Sequence, residues 1–502
     1  MKIKAIPDEI KEFLEKRGGS SIFLKGSAGT GKTTLALQLM EEMADPNKSF
    51  YLSTRVSDES LFKQFPWLKE KEMRSKIIDS SKEFLQTLYQ EEEKGSDIPL
   101  DEKDKIESAR KFLKSIDEEG PPEEVDRTHL NLLDKKVSSL ERVYDRIENV
   151  LPERSLLVVD SVEGLTHKYD IDPETFVITL QKDLVENSNT NLIMVLEQEK
   201  APELEYLVDG VVKLNRYQLD ERDVREIRLI KLRGTKISQP AYLMSLDGGR
   251  FTSFKPYSME RDLKKDWKSI SNTNNKYSTG IEDLDEILEG GFEKGSYNVF
   301  EVKENVSNEE YLSITRPIFL NFLAQEGAVV AVLSGGTHPD NLRKDLTRFI
   351  SKDMFDSRFR IVDHFSPDSD KKYMMALGGK NRQETSKIYD KHISEVTHKG
   401  KRSVLEYTGF DTLEYLLGNE IAIKDMLETA ANTKVTENLG IGIIKHGLKI
   451  TSEIKNIADN YFVIASINKT PCIYGIKPKT GMYAITKNEK RGDPHIKLVP
   501  IV

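Results

Sequence analysis

Short apolar runs alternate with amphipathic segments along the first half of the chain. The segments at 33–43 and about 173–187 predict helices, the first of them from apolar residues at helical spacing. The apolar runs predict five strands, at 20–25, 49–55, 75–81, 154–165 and 189–199. Because strands that alternate with helices pair in parallel, this half is predicted to be an α/β domain with a mostly parallel, doubly wound sheet.

Three later runs complete this domain, and two polar stretches interrupt the pattern. The runs at 209–214, 225–234 and 241–249 predict antiparallel strands added at one edge of the sheet. Residues 91–127 are highly charged with few large apolar side chains, which indicates a solvated helical insertion rather than a docking arm. Residues 256–276 are polar and basic and predict a linker, so the first domain spans 1–255.

The order of apolar runs repeats in the second half of the chain. The repeated runs lie at 328–336, 360–365, 402–413, 439–447 and 460–467 and follow the order of those from 49–55 onward. This repetition predicts a second domain of the same architecture over 277–502.

The candidate chemistry lies between the first strand and the first helix of the sheet. Gly26, Gly31, Lys32 and Thr33 fill the pattern G-x-x-x-x-G-K-[ST], with a strand before it and a helix after it. Loop amides and the positive end of the helix then face an anion, Lys32 reaches the β- and γ-phosphates, and Thr33 binds Mg²⁺. The sequence therefore predicts ATP and Mg²⁺ as cofactors. The predicted cofactor-binding residues are Gly26, Ser27, Ala28, Gly29, Thr30, Gly31, Lys32, Thr33 and Thr34.

The corresponding position in the second domain has a different composition. Residues 302–313, "VKENVSNEEYLS", contain neither glycine nor GK[ST]. Glu304, Glu309 and Glu310 would repel a triphosphate, so the second domain is predicted to have a degenerate loop and to have lost nucleotide binding.

Two polar side chains end strands beside this loop. Asp160 ends a buried apolar strand, where a carboxylate can hold Mg²⁺ through water, although the same residue can cap a helix. Gln198 ends the next strand, between Glu197 and Glu199.

Composition narrows the class of protein. The chain has 502 residues, 32% of them charged, and a formal net charge of −9, so a general attraction to nucleic acid is not favoured, while a local basic patch can still contact it. No apolar run approaches membrane-spanning length, so we expect a cytoplasmic protein without a membrane partner. The single cysteine, Cys472, excludes a disulfide framework and a cysteine-based zinc site.

Several segments resemble the RecA-superfamily group that includes KaiC, RadA-type proteins and GvpD, an archaeal gas-vesicle regulator. Residues 278–296, "STGIEDLDEILEGGFEKGS", are similar to the segment that precedes the core of a KaiC-type domain. Residues 6–14, 51–61 and 64–70 resemble the GvpD-type branch most closely. The resemblance implies two RecA-like domains in tandem and a regulatory protein that changes its contact with a protein partner as it binds ATP or ADP.

The same resemblance suggests a sensor of the γ-phosphate. RecA-like proteins place a polar side chain at the strand end where this chain has Gln198, and Glu197 and Glu199 are alternatives for that role.

The resemblance also suggests catalytic residues that act between subunits. Residues 231–235, "KLRGT", resemble the KaiC motif in which a lysine and an arginine, here Lys231 and Arg233, reach a neighbouring subunit's γ-phosphate, which would require a homo-oligomer. An edge strand also carries such charges for solubility alone.

One departure from the KaiC pattern concerns the residue that activates water. KaiC-type domains carry paired glutamates after the second strand, where this chain has Arg55 and Val56. Glu163 is the best substitute for the general base, followed by Asp58 and Glu59, although Glu163 can equally be an ordinary residue of a strand-to-helix turn. We therefore expect a slow ATPase.

Three functions fit these features. A regulatory ATPase acting on a protein partner is favoured, because a second domain without nucleotide can serve as scaffold or sensor. A recombination or repair ATPase of the RadA type is the alternative, and the acidic net charge counts against it. A KaiC-type autokinase would require intact phosphate loops in both domains.

Overall fold

The computed structural model describes residues 5–43, 48–71, 76–79, 138–198, 202–258, 267–488, 491–492 and 494–502. Two compact units are formed, one by Met1–Tyr217 with Arg225–Ser253 and the other by Gln218–Val224 with Phe254–Val502. The insertion predicted at 91–127 and the middle of the linker predicted at 256–276 lie outside the described residues. Among the helices described, none is long and apolar enough to cross a membrane.

The first unit contains one nine-stranded sheet. Its strands are β1 (Ser21–Lys25), β2 (Ser49–Ser53), β3 (Ile77–Asp79), β4 (Ser155–Asp160), β5 (Thr190–Leu196), β6 (Gly210–Leu219), β7 (Arg222–Leu232), β8 (Ala241–Ser245) and β9 (Thr252–Ser253). Their order is β3-β2-β4-β5-β1-β6-β7-β8-β9. The five strands from β3 to β1 pair in parallel, as the alternating sequence pattern predicts.

The direction of one strand differs from the prediction. β6 pairs in parallel with β1, from Ile22 opposite Gly210 to Lys25 opposite Lys213, whereas an antiparallel strand was expected. The connection from β5 to β6 is long enough for a crossover, so β6 can start at the same end of the sheet as β1. β7 and β8 do pair antiparallel, and β7 lies between β6 and β8 rather than at the sheet edge.

Helices cover both faces of this sheet. They are α1 (Asp8–Glu15), α2 (Lys32–Met43), α3 (Asp58–Gln64), α4 (Ser138–Glu148), α5 (Val162–Tyr169), α6 (Pro173–Leu180), which continues as a π-helix over Gln181–Glu186, and α7 (Pro202–Glu205). Side chains alternate along β1: Ile22 and Leu24 pack with α2, and Phe23 packs on the opposite face with α5 and α6. Two apolar cores thus enclose the sheet, as in other doubly wound α/β proteins.

The second unit contains a small sheet and a ten-stranded sheet. The small sheet pairs β10 (Lys276–Tyr277) with β11 (Phe292–Glu293). The large sheet contains β12 (Tyr297–Val302), β13 (Ala328–Val332), β14 (Phe359–Asp363), β15 (Met374–Ala376), β16 (Val404–Gly409), β17 (Leu439–Lys445), β18 (Asn460–Ile467), β19 (Thr470–Lys477), β20 (Met482–Lys487) and β21 (Ile496–Pro500).

The large sheet repeats the strand order of the first unit. Its order is β15-β14-β13-β16-β17-β12-β18-β19-β20-β21, so β12 takes the place of β1, β16 that of β4, and β17 that of β5. Its helices are α8 (Glu282–Ile287), α9 (Asn308–Ala324), α10 (Pro339–Leu346), α11 (Lys352–Arg358), α12 (Arg382–Val396), α13 (Phe410–Leu417), α14 (Asn419–Thr436) and α15 (Thr451–Ile457). The predicted α/β fold class is confirmed.

Candidate functional site

The loop between β1 and α2 needs glycine for two separate reasons. Gly26 and Gly31 have φ angles of 150° and 99°, which side-chain-bearing residues rarely adopt. A Cβ on Gly26 would lie 2.3 Å from the carbonyl oxygen of Leu214, and one on Gly31 would lie 2.8 Å from a methyl group of Leu246. Backbone conformation and close packing together explain why the motif has glycine at positions 26 and 31.

Lys32 folds back over this loop. Its side chain is only 8% exposed, and Nζ donates hydrogen bonds to the carbonyl oxygens of Gly26 at 2.6 Å and Ser27 at 2.9 Å. The Thr30 hydroxyl also donates to Ser27 O, at 2.9 Å. Residues 26–31 therefore form a compact loop that leads into the first turn of α2, and the Lys32 ammonium group is held beside the loop backbone. Such a strand–loop–helix arrangement presents amides and positive charge to an anion.

Thr33 and Asp160 meet although they lie 127 residues apart in the chain. The Thr33 hydroxyl donates to Asp160 Oδ2 at 2.7 Å, so the two side chains predicted to hold Mg²⁺ lie side by side. The pKa of Asp160 lies above its usual range because the carboxyl group is buried, although hydrogen bonds from Tyr51 and Thr33 and the nearby Lys32 ammonium offset part of this increase. A hydroxyl and a carboxylate are oxygen ligands of the kind that Mg²⁺ prefers.

These two ligands suit a metal that is shared with a substrate. The described residues contain no cluster of three or more His, Cys, Asp or Glu side chains that could hold a metal ion by themselves. Mg²⁺ commonly binds through one or two protein oxygens together with phosphate oxygens and water. The donor set at Thr33 and Asp160 fits that mode of binding.

Tyr51 belongs to the same cluster and was not predicted from the sequence. Its hydroxyl donates to Asp160 Oδ2 at 2.5 Å, the oxygen that also accepts from Thr33. Tyr51 lies opposite Val158 in the register of β2 and β4, so its side chain and that of Asp160 lie on the same face of the sheet. Burial raises the pKa of Tyr51 well above its usual range, so the phenol remains a hydrogen-bond donor. No local sequence signal marked this role, because β2 also carries hydroxyls at Ser49 and Ser53 and the contact depends on how β2 pairs with β4.

Glu163 binds the backbone directly after β5. It is buried in the first turn of α5, and its Oε1 accepts hydrogen bonds from the backbone amides of Glu197 at 2.7 Å and Gln198 at 3.1 Å. Among the described residues, its Oε2 is buried and has no hydrogen-bond partner. The structure therefore places Glu163 and Gln198 together at the end of the strand beside β1.

Arg55, which the sequence comparison aligned with a glutamate of KaiC-type domains, also lies near this strand end. Arg55 forms an ion pair with Glu197, and both side chains are partly exposed. The neighbouring Thr54 binds the backbone carbonyl of Asp160 through both its amide and its hydroxyl, at 2.9 and 3.0 Å. Asp58 lies farther along, in the first turn of α3. Arg55 thus contacts the carboxylate of Glu197, an alternative sensor residue.

Lys231 and Arg233 have partners within the chain and are not part of the Thr33–Asp160 cluster. Lys231 Nζ donates to the carbonyl oxygens of Glu205 at 3.2 Å and Val208 at 2.6 Å. Arg233 lies beyond the end of β7 and pairs with Asp209 at 3.2 Å. A role across a subunit interface remains a prediction for both residues.

In the second unit, the corresponding loop runs over 303–307 between β12 and α9. Ser307 and Glu310 form a capping box: Ser307 Oγ accepts from the Glu310 amide at 3.3 Å, and Glu310 Oε2 accepts from the Ser307 amide at 2.7 Å. A carboxylate therefore binds the start of α9, whereas the start of α2 follows the glycine loop.

The phosphate loop, the Thr33–Asp160 pair and the parallel sheet define a P-loop protein. Residues 10–233 match the family model described as "GvpD gas vesicle protein, P-loop domain", and residues 266–502 match "GvpD basic region 2". The chain belongs to the GvpD family, and the predicted GvpD-type resemblance is confirmed.

Two relatives come from Halobacterium salinarum. Protein GvpD2 is 25% identical over 517 residues, which cover 100% of this chain and 97% of that protein. Protein GvpD1 is 27% identical over 379 residues, which cover 73% of this chain and 63% of that protein.

Proposed function

We propose that this protein binds ATP with Mg²⁺ in its first unit, hydrolyses it slowly, and uses the bound nucleotide to control its interaction with a regulatory protein partner. The observation that carries the proposal is the joint placement of the phosphate loop, Lys32 and the Thr33–Asp160 pair. Because the family description names a gas vesicle protein, we expect the partner to act in gas vesicle formation.

The residues of the phosphate site have distinct roles in the proposed binding. The amides of residues 26–34 receive the phosphates, and Lys32 exchanges part of its contact with the Gly26 and Ser27 carbonyls for phosphate oxygens. Thr33 and Asp160 hold Mg²⁺, which would neutralise charge on the phosphates when bound. Tyr51 orients the Asp160 carboxylate from the neighbouring strand.

Slow turnover follows from the residues that replace the usual base. Arg55 occupies the expected glutamate position and pairs with Glu197, so neither side chain provides a free carboxylate at that point. We assign the base to Glu163 Oε2, since Oε1 already binds the two amides at the end of β5. The same two bonds fix the start of the segment that carries Gln198, the γ-phosphate sensor of this proposal.

A titration of ATP against the full chain, with and without Mg²⁺, tests the proposal. The parent protein should bind Mg-ATP, and the Lys32→Ala variant should not bind it measurably at micromolar concentrations. Lys303→Ala is the matched control, because Lys303 lies in the corresponding loop of the second unit and pairs with Glu301. Equal loss in both variants would contradict the assignment. Neither family model nor either relative supports the RadA-type alternative.

A further inference from the structure

The phosphate loop rests against the strands that follow β5. The carbonyl oxygen of Leu214 on β6 closely approaches Gly26, and Leu246, just after β8, closely approaches Gly31. Between these two apolar or backbone contacts lies a polar one: Arg225 Nη1 on β7 donates to the carbonyl oxygen of Gly29 at 2.8 Å. Three points of support therefore hold the start, middle and end of the loop.

Arg225 is an unusual residue for its position. It lies on the same face of β7 as Ile227 and Leu229, which pack in the core beside α2. Arg225 is buried, whereas Arg228 on the opposite face is exposed and pairs with Glu226. A buried guanidinium is costly unless hydrogen bonds compensate for its lost water, and the bond from Nη1 to the Gly29 carbonyl is one such bond.

The contact fixes the direction of one loop amide. In a trans peptide the carbonyl and the following N–H point in opposite directions, so a bond to Gly29 O sets the orientation of the Thr30 N–H. Gly29 has a φ of 74° and, without a Cβ, restrains this peptide weakly by itself. A bond from a strand of the sheet supplies the restraint that the glycine does not.

We propose that Arg225 is a positioning residue of the nucleotide site. Arg225 holds the Gly29 carbonyl toward β7 and thereby turns the Thr30 amide toward the bound phosphates. The proposal rests on the proposed function, since it requires that the loop binds a nucleotide. Arg225 acts through the loop and not on the terminal phosphate. The loop surrounds the phosphates that ADP and ATP share, so loss of Arg225 should weaken the binding of both nucleotides by the same factor.

Calorimetric titration of Mg-ADP and Mg-ATP into the full chain tests this role. The variants are Arg225→Gln, Arg225→Lys and, as a matched control from the same strand, Arg228→Gln. Arg225→Gln should lower the affinity for ADP and the affinity for ATP equally, by about tenfold, which is the usual effect of losing a charge-assisted hydrogen bond. Arg225→Lys should restore part of the affinity, and Arg228→Gln should match the parent. Thermal unfolding without nucleotide checks the fold of each variant. If Arg225→Gln is unfolded, the same titrations are made with Arg225→Lys, whose affinity for both nucleotides should be about threefold lower than that of the parent.

Three results would overturn the inference. Parent-like affinity of a folded Arg225→Gln for both nucleotides would show that the contact is not needed, and the proposed function would stand. A loss of affinity for ATP but not for ADP would instead indicate that Arg225 binds the γ-phosphate directly. If the parent protein bound neither nucleotide, the proposed function would fail first and this inference with it.

Discussion

The two units share an order of strands but differ at the end of their first parallel strand. In the first unit, β1 leads into a glycine loop over which Lys32 folds, and α2 follows directly. In the second unit, β12 leads into residues 303–307, and the start of α9 is closed by the Ser307–Glu310 capping box. The same fold thus has a glycine loop before the helix in one unit and a helix start bound by a carboxylate in the other.

The difference extends to the neighbouring strand. β4 ends at Asp160, which binds Thr33, whereas β16, in the same place in its sheet, ends at Gly409. A phosphate site needs particular side chains on a suitable fold, and the fold alone does not supply them. We infer from this comparison that nucleotide binds to the first unit only.

Replacing the loop lysine should give the largest effect. Lys32→Ala removes charge-assisted hydrogen bonds to two phosphate groups, worth about 4 kcal/mol together, so ATP affinity should fall by about 1,000-fold. Equilibrium binding of a fluorescent ATP analogue measures this loss. Lys303→Ala should leave the affinity unchanged, and a comparable loss in that variant would break the distinction between the units.

Replacing the proposed base should affect turnover and not binding. Glu163→Gln keeps an amide oxygen for the Glu197 and Gln198 amides but removes the proton acceptor, so steady-state ATP hydrolysis should fall by about 100-fold. Glu174→Gln, in the first turn of α6, is the control. An unchanged rate with a folded protein would leave Asp58 and Glu59 as the remaining candidates.

Much of this site follows from sequence, and the rest depends on how strands pair. The phosphate loop is a local motif, and Asp160 ends a buried strand, so both could be predicted without a structure. Tyr51 and Arg225 reach the site through strand register and through packing of β7 against the loop, which no local pattern specifies. For the same reason the alternation of runs predicted the sheet but not the parallel direction of β6.

Replacing a proposed metal ligand should lower ATP affinity less than replacing Lys32 does. Asp160→Asn removes one charged oxygen ligand, so the increase in ATP affinity caused by Mg²⁺ should shrink by about tenfold while binding without Mg²⁺ changes little. Titrations at several Mg²⁺ concentrations measure this. Asp172→Asn, which alters only the cap of α6, is the control. An unchanged Mg²⁺ effect in Asp160→Asn would exclude Asp160 as a ligand.

The smallest effect concerns stability in the second unit. Burial and the nearby Asp425 raise the pKa of Glu406 on β16 to about 7, whereas β4 carries only apolar side chains between Ser155 and Asp160. Because the folded value lies above the unfolded one, the folded state binds more protons, and stability falls as pH rises from about 4.5 to 7. The full shift corresponds to about 3 kcal/mol, which partial exposure of the side chain reduces to about 1 kcal/mol.

Denaturant unfolding at pH 5 and pH 8 measures this contribution. Glu406→Gln should remove about 1 kcal/mol of the difference between the two pH values. Glu395→Gln, an exposed glutamate on α12, is the control. A pH dependence that is identical in the parent and in Glu406→Gln would show that this carboxyl does not titrate with folding.

The binding stoichiometry of Mg-ATP on the full chain tests the comparison between the two units most directly. Isothermal titration should give one site per chain, and Lys32→Ala should leave no site that is detectable at micromolar concentrations. Two sites per chain, or one site that survives in Lys32→Ala and disappears in a variant of residues 303–307, would contradict the assignment of nucleotide binding to the first unit.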